Sequence, residues 1–236
     1  MTVKTAKTTT PRAATPKRAA AKRPGVREQA AQTTRDNILR AATKVFARYG
    51  YDGGSVEKIS KSAKSFDRMI YYYFGSKEGL FIEVLEDMYR RMNDAELELS
   101  LDVEHPVESL TDVICFVVSY YSKNPEFITL LNTENLHRAR HLKKSQQIPD
   151  MNSAVVATVG RILKKGARLG VTRPGIDPLQ LYISIASLCF FYVSNIHTLT
   201  VVFSRDLKAR RALDERIEHV VGMVLRAIAA SPARKS

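Results

Sequence analysis

Cysteine is scarce in this chain of 236 residues, which contains only Cys115 and Cys189. Each stands alone within an apolar helical pattern, without a CxxC pair or a histidine at metal-ligand spacing. The pattern favours two small core residues over a redox switch, and it predicts no metal site. Because a reducing cytoplasm suits two free thiols, we expect a cytoplasmic protein.

Long hydrophobic runs are also missing. The most apolar segment, 179–203, is interrupted by Gln180, Asn195 and His197, so no run of about 18 apolar residues occurs. The N-terminus has no apolar core of the kind that a secretion signal requires. We therefore expect neither a membrane span nor a membrane partner.

Sequence motifs of catalysis are absent as well. The chain has no nucleophile elbow, no P-loop, no dinucleotide-binding glycine pattern and no HExxH zinc motif. We therefore expect a protein that is not an enzyme and that needs no cofactor.

Acidic residues are few at the N-terminal end, so the net charge of +13 is unevenly distributed. Residues 1–35 carry nine Lys or Arg and one acid, whereas residues 81–236 carry twenty and eighteen. A basic excess at one end is typical of nucleic-acid-binding proteins. The composition of residues 1–30 predicts a disordered basic arm, which could follow phosphates or the minor groove, or could be a solvated extension. Residues 231–236 are expected to form a loose end.

The segment 31–80 has the pattern of three short helices, of which the last two form a helix-turn-helix. The first helix has an apolar stripe with a spacing of three and four residues. The stripe consists of Ile38, Ala42, Val45, Phe46 and Tyr49. Gly50 is placed to stop this helix, and Ser55 is placed to cap the second.

The third helix is predicted over 66–74, after a turn at 63–65, with Ser65 or Asp67 as its cap. Its inner face carries Ile70 and Phe74, and Gly75 ends it. Its outer face should meet the DNA major groove, as such helices usually do. The residues predicted to contact DNA here or at the flanking helix starts are Ser55, Ser65, Asp67, Arg68, Met69, Tyr71, Tyr72, Tyr73 and Lys77.

Two of these residues have alternative interpretations. Tyr71 could pack in the core with its hydroxyl reaching a phosphate, or it could be purely a core residue. Asp67 could accept a hydrogen bond from cytosine N4, or it could only cap the helix. Arg68 is placed to read guanine through two hydrogen bonds.

The segment resembles the DNA-binding domain of the TetR family of bacterial one-component regulators. The residues that carry the resemblance are Ile38, Leu39, Ala41, Ala42, Phe46, Gly50, Tyr51, Ser55, Ile59, Tyr71, Tyr72, Tyr73, Phe74, Ser76, Lys77, Glu78 and Leu80. The resemblance implies an all-α homodimer. Each subunit would have an N-terminal DNA-binding domain, 31–80, here called the reader, and a C-terminal domain that binds the partner subunit and a small molecule. Most members repress transcription until an inducer binds.

The turn departs from the family pattern, which is typically Gly-Val-Ser where this chain has Lys64, Ser65 and Phe66. The family also commonly has Gly where Arg68 stands and His where Tyr73 stands. Without the turn glycine, either Lys64 adopts a conformation unfavourable for a side chain or the turn differs. The operator sequence therefore cannot be inferred from other members.

The remainder, 81–230, is predicted to be a helical ligand-binding and dimerisation domain. A long helix follows Ser76, and further helices begin at His105–Pro106, Asn124–Pro125 and Asp177–Pro178. A helix over 179–203 is hydrophobic on nearly all sides, which predicts burial against a second subunit. We expect a homodimer in which 179–203 and 208–230 form a four-helix bundle with their symmetry mates.

Several polar and aromatic residues of this domain are candidates for a pocket that holds an unknown small-molecule effector. They are Phe116, Tyr120, Asn132, Asn135, Arg138, Phe191 and Asn195. Each could instead be exposed or satisfied by a neighbour. The sequence thus predicts a site-specific, ligand-responsive repressor that binds double-stranded operator DNA, with a non-specific architectural DNA-binding protein as the alternative.

Overall fold

The computed structural model describes residues 25–148 and 153–230, and this part of the chain contains no strand. The predicted all-α fold is confirmed. The helices are α1 Val26–Gly53, α2 Val56–Ala63, α3 Asp67–Phe74, α4 Lys77–Leu97, α5 Pro106–Lys123, α6 Pro125–Leu136, a 3-10 helix Leu142–Lys144, α7 Ser153–Arg168, α8 Pro178–Ser194, α9 Ile196–Val202 and α10 Arg210–Ile228. Most of the predicted basic arm and all of the predicted loose end lie outside the described residues.

The first helix is longer than the sequence predicts. It begins at Val26, so the prediction of disorder is wrong for the last residues of the arm. It also stops where predicted, because Gly50 has a φ of 69° and interrupts the helical path before a short final turn. A residue with a Cβ would be strained at this φ, which explains the glycine.

Helices α1, α2 and α3 share one core. Ile38, Phe46, Ile59 and Ile70 are fully buried within it, and the predicted stripe of α1 is confirmed for all members except Tyr49. Tyr49 is 46% exposed, because it adjoins the break at Gly50 and its ring lies at the surface beneath the ammonium group of Lys58, 4.5 Å away. This core is continuous with that of the C-terminal domain, because the same cluster of buried side chains includes Phe81, Val113 and Val117.

The junction of α3 and α4 is a tight turn. Gly75 ends α3 with a φ of 71°, and the hydroxyl of Ser76 accepts a hydrogen bond from the backbone N–H of Gly79 at 2.9 Å, as the sequence predicts. A Cβ at Gly79 would lie 2.3 Å from the carbonyl oxygen of Phe74. Glycine therefore allows the end of α3 to lie this close to the start of α4, where a side chain would not fit.

The C-terminal domain, 81–230, is here called the body. It is organised around α5, which packs against α6, α7, α8 and α10. One side of α5 is buried, because its apolar residues recur every three or four positions. The hydrophobic side chains of α5 that are at most 1% exposed are Leu110, Val113, Ile114, Val117 and Val118. The predicted start of α8 is also confirmed, since Asp177 caps that helix through hydrogen bonds from the N–H groups of Leu179 and Gln180.

The sequence pattern after Asn124–Pro125 predicts one polar helix over 125–143, and this prediction is wrong. Helix α6 ends at Leu136, and Arg138 and Ala139 then adopt positive φ values of 57° and 56°. The chain reverses there because the N–H of Ala139 bonds to the carbonyl of Glu134, which brings the following segment back against α6.

The prediction of one helix over 179–203 is also wrong. Asn195 ends α8 with its side-chain amide bonded to the carbonyl of Phe191 at 2.9 Å, and α9 leaves at an angle of 66°. Among the described residues, no single helix is both long and apolar enough to cross a membrane, and α8 with α9 reaches that length and composition only as a bent pair.

The two cysteines occupy the body, as predicted. Cys189 is fully buried, and burial raises the pKa of its thiol to about 12. Cys115 is half-buried, and burial raises its pKa as well. A low thiolate fraction makes both side chains poor nucleophiles, which agrees with a packing role.

A buried carboxyl group lies where α4 meets α8. The hydroxyl of Tyr182 donates a hydrogen bond to the side chain of Glu96 at 2.8 Å, and Glu96 is only 9% exposed. Burial raises the pKa of Glu96, although the bond from Tyr182 lowers it in part. Folding therefore favours the protonated carboxyl group.

We expect Glu96→Gln to make the unfolding free energy less dependent on pH. The folded-state pKa of Glu96 is raised, so its contribution to stability is complete below the unfolded value of about 4.5 and is lost as the pH rises through the folded value. Glutamine keeps an oxygen for Tyr182 and does not titrate. Urea unfolding at about pH 5 and about pH 8 should show the variant gaining relative stability at the higher pH. If the unfolding free energies of the variant and the parent chain differed by the same amount at both pH values, the titration of Glu96 would not contribute to stability.

Candidate DNA-binding surface and effector cavity

The turn between α2 and α3 contains a strained residue. Lys64 adopts the left-handed conformation with φ 51° and ψ 44°, and the N–H of Ser65 bonds to the carbonyl of Ser60 at 2.9 Å. Lys64 therefore takes the unfavourable conformation rather than changing the turn. The predicted caps are wrong, because Phe66 is the N-cap residue of α3 and no side chain caps that helix.

We expect Lys64→Gly to raise the unfolding free energy by about 1 kcal/mol, because glycine adopts the left-handed conformation without a Cβ penalty. The matched control is Lys61→Gly, an exposed lysine in the last turn of α2, where glycine should cost about 1 kcal/mol. Urea unfolding measures both variants. If both substitutions changed the unfolding free energy in the same direction, the backbone of Lys64 would not be strained.

The outer face of α3 is rich in exposed aromatic and charged side chains. Asp67 and Arg68 are exposed, and Tyr71 and Tyr72 are 53% and 77% exposed. The alternative of a purely core role for Tyr71 is therefore wrong. Met69 and Tyr73 are half-buried and pack against the core, so each has one side available to a ligand and one side committed to folding.

We expect Arg68→Ala to weaken binding to a specific site by about 1–3 kcal/mol and to relax base preference at one position of each half-site. The guanidinium group is exposed near the start of α3, where groove contacts are made. Fluorescence anisotropy on a panel of single-base variants measures this. An equal loss on every sequence would identify a phosphate contact instead.

The start of α2 is fixed by backbone and side-chain contacts. The hydroxyl of Ser55 accepts a hydrogen bond from the N–H of Lys58 at 3.2 Å, which confirms the predicted cap. The ammonium group of Lys58 donates to the carbonyl of Gly53 at 2.8 Å. Ser55 is thus half-buried and engaged locally, and Ser65 is also half-buried.

Lys77 connects α4 to the end of α1. Its ammonium group donates to the carbonyl of Asp52 at 3.3 Å and lies 4.6 Å from the centre of the Tyr51 ring. An ammonium group has three N–H donors. The predicted phosphate contact of Lys77 would therefore use the donors that Asp52 leaves free.

Phe66 is a residue of this surface that the sequence prediction missed. Its side chain is 70% exposed, and the guanidinium group of Arg68 lies 5.2 Å from the centre of its ring. The signal available in the sequence was the aromatic residue itself, at a turn position where the TetR pattern has serine. Phe66, Arg68 and Tyr72 together form an exposed aromatic and basic surface.

A cavity of about 340 Å³ lies in the body between α5, α6, α8, α9 and the start of α10. Its lining combines apolar side chains with polar groups that could orient a ligand. The lining residues are Tyr121, Ser122, Pro125, Ile128, Thr129, Asn132, Val193, Ser194, Ile196, His197, Lys208 and Leu213. Asn132 is the member of the predicted effector set that lines it, and its amide donates to the hydroxyl of Ser194 at 2.9 Å.

The other predicted effector residues do not meet in this cavity. Asn135, Arg138 and Phe191 are exposed, because α6 ends at Leu136 and α8 turns its outer face to solvent. Asn195 ends α8. Phe116 and Tyr120 are half-buried with ring centres 5.5 Å apart, and Tyr120 lines a smaller cavity of about 200 Å³ between α1, α4, α5 and the start of α6.

A buried ionisable pair joins the body to the reader. The carboxylate of Glu134 accepts hydrogen bonds from the N–H groups of His141 and Leu142, both at 3.0 Å, and lies 2.6 Å from Nδ1 of His141. Glu134 and His141 are 1% exposed. The His141 ring lies 4.4 Å from the ring of Tyr51 and 4.8 Å from that of Phe81. Sequence reasoning missed this pair, because its partners meet only through the fold.

Two further bonds attach the same segment to α4. Lys144 forms an ion pair with Glu78 at 2.5 Å, and the hydroxyl of Ser145 donates to the buried carboxylate of Glu86 at 2.6 Å. The Lys144 contact lowers the pKa of Glu78. The segment between α6 and α7 is thus bonded to the helix that directly follows the recognition helix.

This fold and surface define a helix-turn-helix DNA-binding protein with a helical regulatory body. A family profile described as "Bacterial regulatory proteins, tetR family" matches residues 38–84. A profile described as "Tetracyclin repressor-like, C-terminal domain" matches residues 106–224. The chain belongs to the TetR family of bacterial transcriptional regulators.

Relatives with assigned names agree with this classification. The chain is 46% identical over 204 residues to the HTH-type transcriptional repressor NicS of Pseudomonas putida, across 86% of this chain and 96% of that protein. It is 33% identical over 169 residues to the HTH-type transcriptional regulator HbdR of an Aromatoleum species, across 69% and 67%. The chain is therefore a transcriptional regulator, and the architectural alternative is not favoured.

The fold is similar to that of a TetR family transcription regulator from Marinobacter aquaeolei. The TM-score is 0.64 at 21% sequence identity, across 86% of this chain and 99% of that one. The similarity extends through both the reader and the body, so the arrangement of helices described above is a known fold.

Proposed function

We propose that the protein is a homodimeric repressor that binds a two-fold-symmetric operator through α3 and is released when a small molecule occupies the cavity beside α6. The observation that carries this proposal is that α6 extends from the cavity to a buried pair that contacts the reader. Ile128, Thr129 and Asn132 of α6 line the cavity, and Glu134 lies two residues after Asn132 on the buried side of the same helix. Glu134 bonds to His141, whose ring contacts Tyr51 of the reader.

The uncovered apolar face of α8, α9 and α10 supports the homodimer. In the described part of the chain, large hydrophobic side chains are exposed on each of these three helices or directly after them. Such a concentration is unusual for a surface that faces water. They are Leu179, Ile183, Phe191, Val201, Val202, Phe203 and Met223, which are 42–77% exposed. An isologous contact between two such faces would cover them and set the spacing of two readers.

The experiment that tests operator binding is a footprint of the purified full-length protein on DNA flanking its own gene. It is carried out at low and at near-physiological salt. A protected palindrome that survives the higher salt would support the proposal, because specific contacts depend less on salt than phosphate contacts alone. Diffuse protection that disappears with salt would contradict it.

The effector role of the cavity is tested with two asparagines of the same helix. A metabolite library is screened by thermal shift, and compounds that bind are tested for release of operator DNA. Asn132→Ala should raise the concentration needed for half-release about tenfold, the loss of one hydrogen bond. Asn135→Ala is the control, because Asn135 does not line the cavity and its amide bonds within its own helix. Equal sensitivity of both variants would place the effector elsewhere.

A further inference from the structure

Phe66 occupies the position from which the recognition helix starts. It is the residue before the first helical residue of α3, its backbone is extended with φ −97° and ψ 147°, and its side chain makes no cap. Its ring is 70% exposed, although the hydrophobic core of the reader lies close by along the chain. In the free protein, water therefore covers an aromatic side chain on a surface that is otherwise basic and polar.

The surroundings of Phe66 point toward DNA. Lys64 and Arg68 are exposed on either side of it, and no acidic side chain other than Asp67 lies among residues 61–74. The N-terminal residues of a recognition helix are the ones that reach base edges. The base edges of the major groove offer hydrogen-bonding groups and a single apolar group, the C5 methyl of thymine.

We propose that Phe66 reads thymine by covering its C5 methyl group in the major groove, beside the base that Arg68 contacts. A phenyl ring cannot form the hydrogen bonds that the other base edges require, whereas it can exclude water from a methyl group. The inference rests on the proposed role of α3 as the recognition helix.

The stacking of Arg68 on Phe66 adds a second consequence. The guanidinium carbon lies 5.2 Å from the ring centre, within the range of a cation–π contact. This contact restricts the guanidinium group before DNA arrives, so that less rotational freedom is lost on binding. Phe66 is therefore a specificity residue on its own account and a positioning residue for Arg68.

The test uses deoxyuridine, which differs from thymidine by the C5 methyl alone. The full-length protein selects its preferred site from a random duplex library, and each thymine of that site is replaced singly by deoxyuridine. We expect one replacement per half-site to weaken binding about three- to tenfold, the effect of one buried methyl group. The Phe66→Ala variant should bind the thymine site about three- to tenfold more weakly than the parent protein does. It should not distinguish thymine from deoxyuridine at that position.

Tyr72→Ala is the matched control, since it removes another exposed aromatic ring from α3 and should keep the preference for thymine. Phe66→Leu keeps an apolar side chain and should retain part of the preference. The inference is overturned if no replacement weakens the parent protein, or if Phe66→Ala still distinguishes the two bases. Failure to enrich any site would instead overturn the proposed sequence-specific function.

Discussion

Replacing Ile183 by aspartate should convert the proposed homodimer to a monomer and lower its affinity for a full operator at least about a hundredfold. A carboxylate in the centre of an apolar interface loses its hydration without gaining a partner. A monomer then binds each half-site singly and loses the gain of two linked contacts, which is commonly two to four orders of magnitude. Sedimentation velocity measures the mass, and anisotropy on full-site and half-site duplexes measures the affinity.

The control for this prediction is Leu136→Asp. Leu136 is 81% exposed, more than Ile183 at 46%, and it lies at the end of α6 rather than on the face formed by the last three helices. We expect this variant to stay dimeric and to bind the full operator normally. If Ile183→Asp also remained dimeric, the interface would have to lie outside α8–α10.

Glu134→Ala should lower the unfolding free energy by about 3 kcal/mol or more. The substitution leaves the N–H groups of His141 and Leu142 without their acceptor and leaves the buried ring of His141 without its partner, and each such loss costs about 1–3 kcal/mol. Urea unfolding, followed by circular dichroism, measures the change. Glu134→Gln keeps one acceptor oxygen and should fall between the parent chain and alanine.

Glu126→Ala provides the comparison on the same helix. Glu126 lies in the first turn of α6, where its main contribution is to the helix dipole, so its loss should cost less than about 1 kcal/mol. A Glu134→Ala variant as stable as Glu126→Ala would show that the buried pair contributes little. If stability fell but operator release by an effector stayed unchanged, Glu134 would be structural without carrying the signal.

The reader could be predicted closely because its boundaries depend on local chemistry. Gly50, Ser55, Gly75 and Ser76 each end or begin a helix through conformations and hydrogen bonds that involve neighbours within a few residues. The cap of α3 was predicted wrongly because Phe66 has no capping side chain, so the helix start depends on packing of Ile70 rather than on a polar signal.

The body was predicted less well because two of its breaks, after α6 and after α8, have no Gly or Pro to mark them. Asn195 stands within an apolar run and was interpreted as a pocket residue, whereas its amide ends α8. The end of α6 depends on Glu134 receiving bonds from residues beyond the turn. Such contacts are set by the whole fold, so periodicity within one helix does not reveal them.

The protected thiols have a practical consequence for measuring how the two readers of the proposed homodimer move. Because Cys189 is fully buried with a pKa of about 12, a maleimide dye at neutral pH should leave it unmodified as long as the chain stays folded. The raised pKa of Cys115 should likewise slow its modification. A cysteine introduced on the exposed side of α2 could then be labelled selectively in each subunit, and energy transfer between the two dyes would report their separation with and without operator or effector.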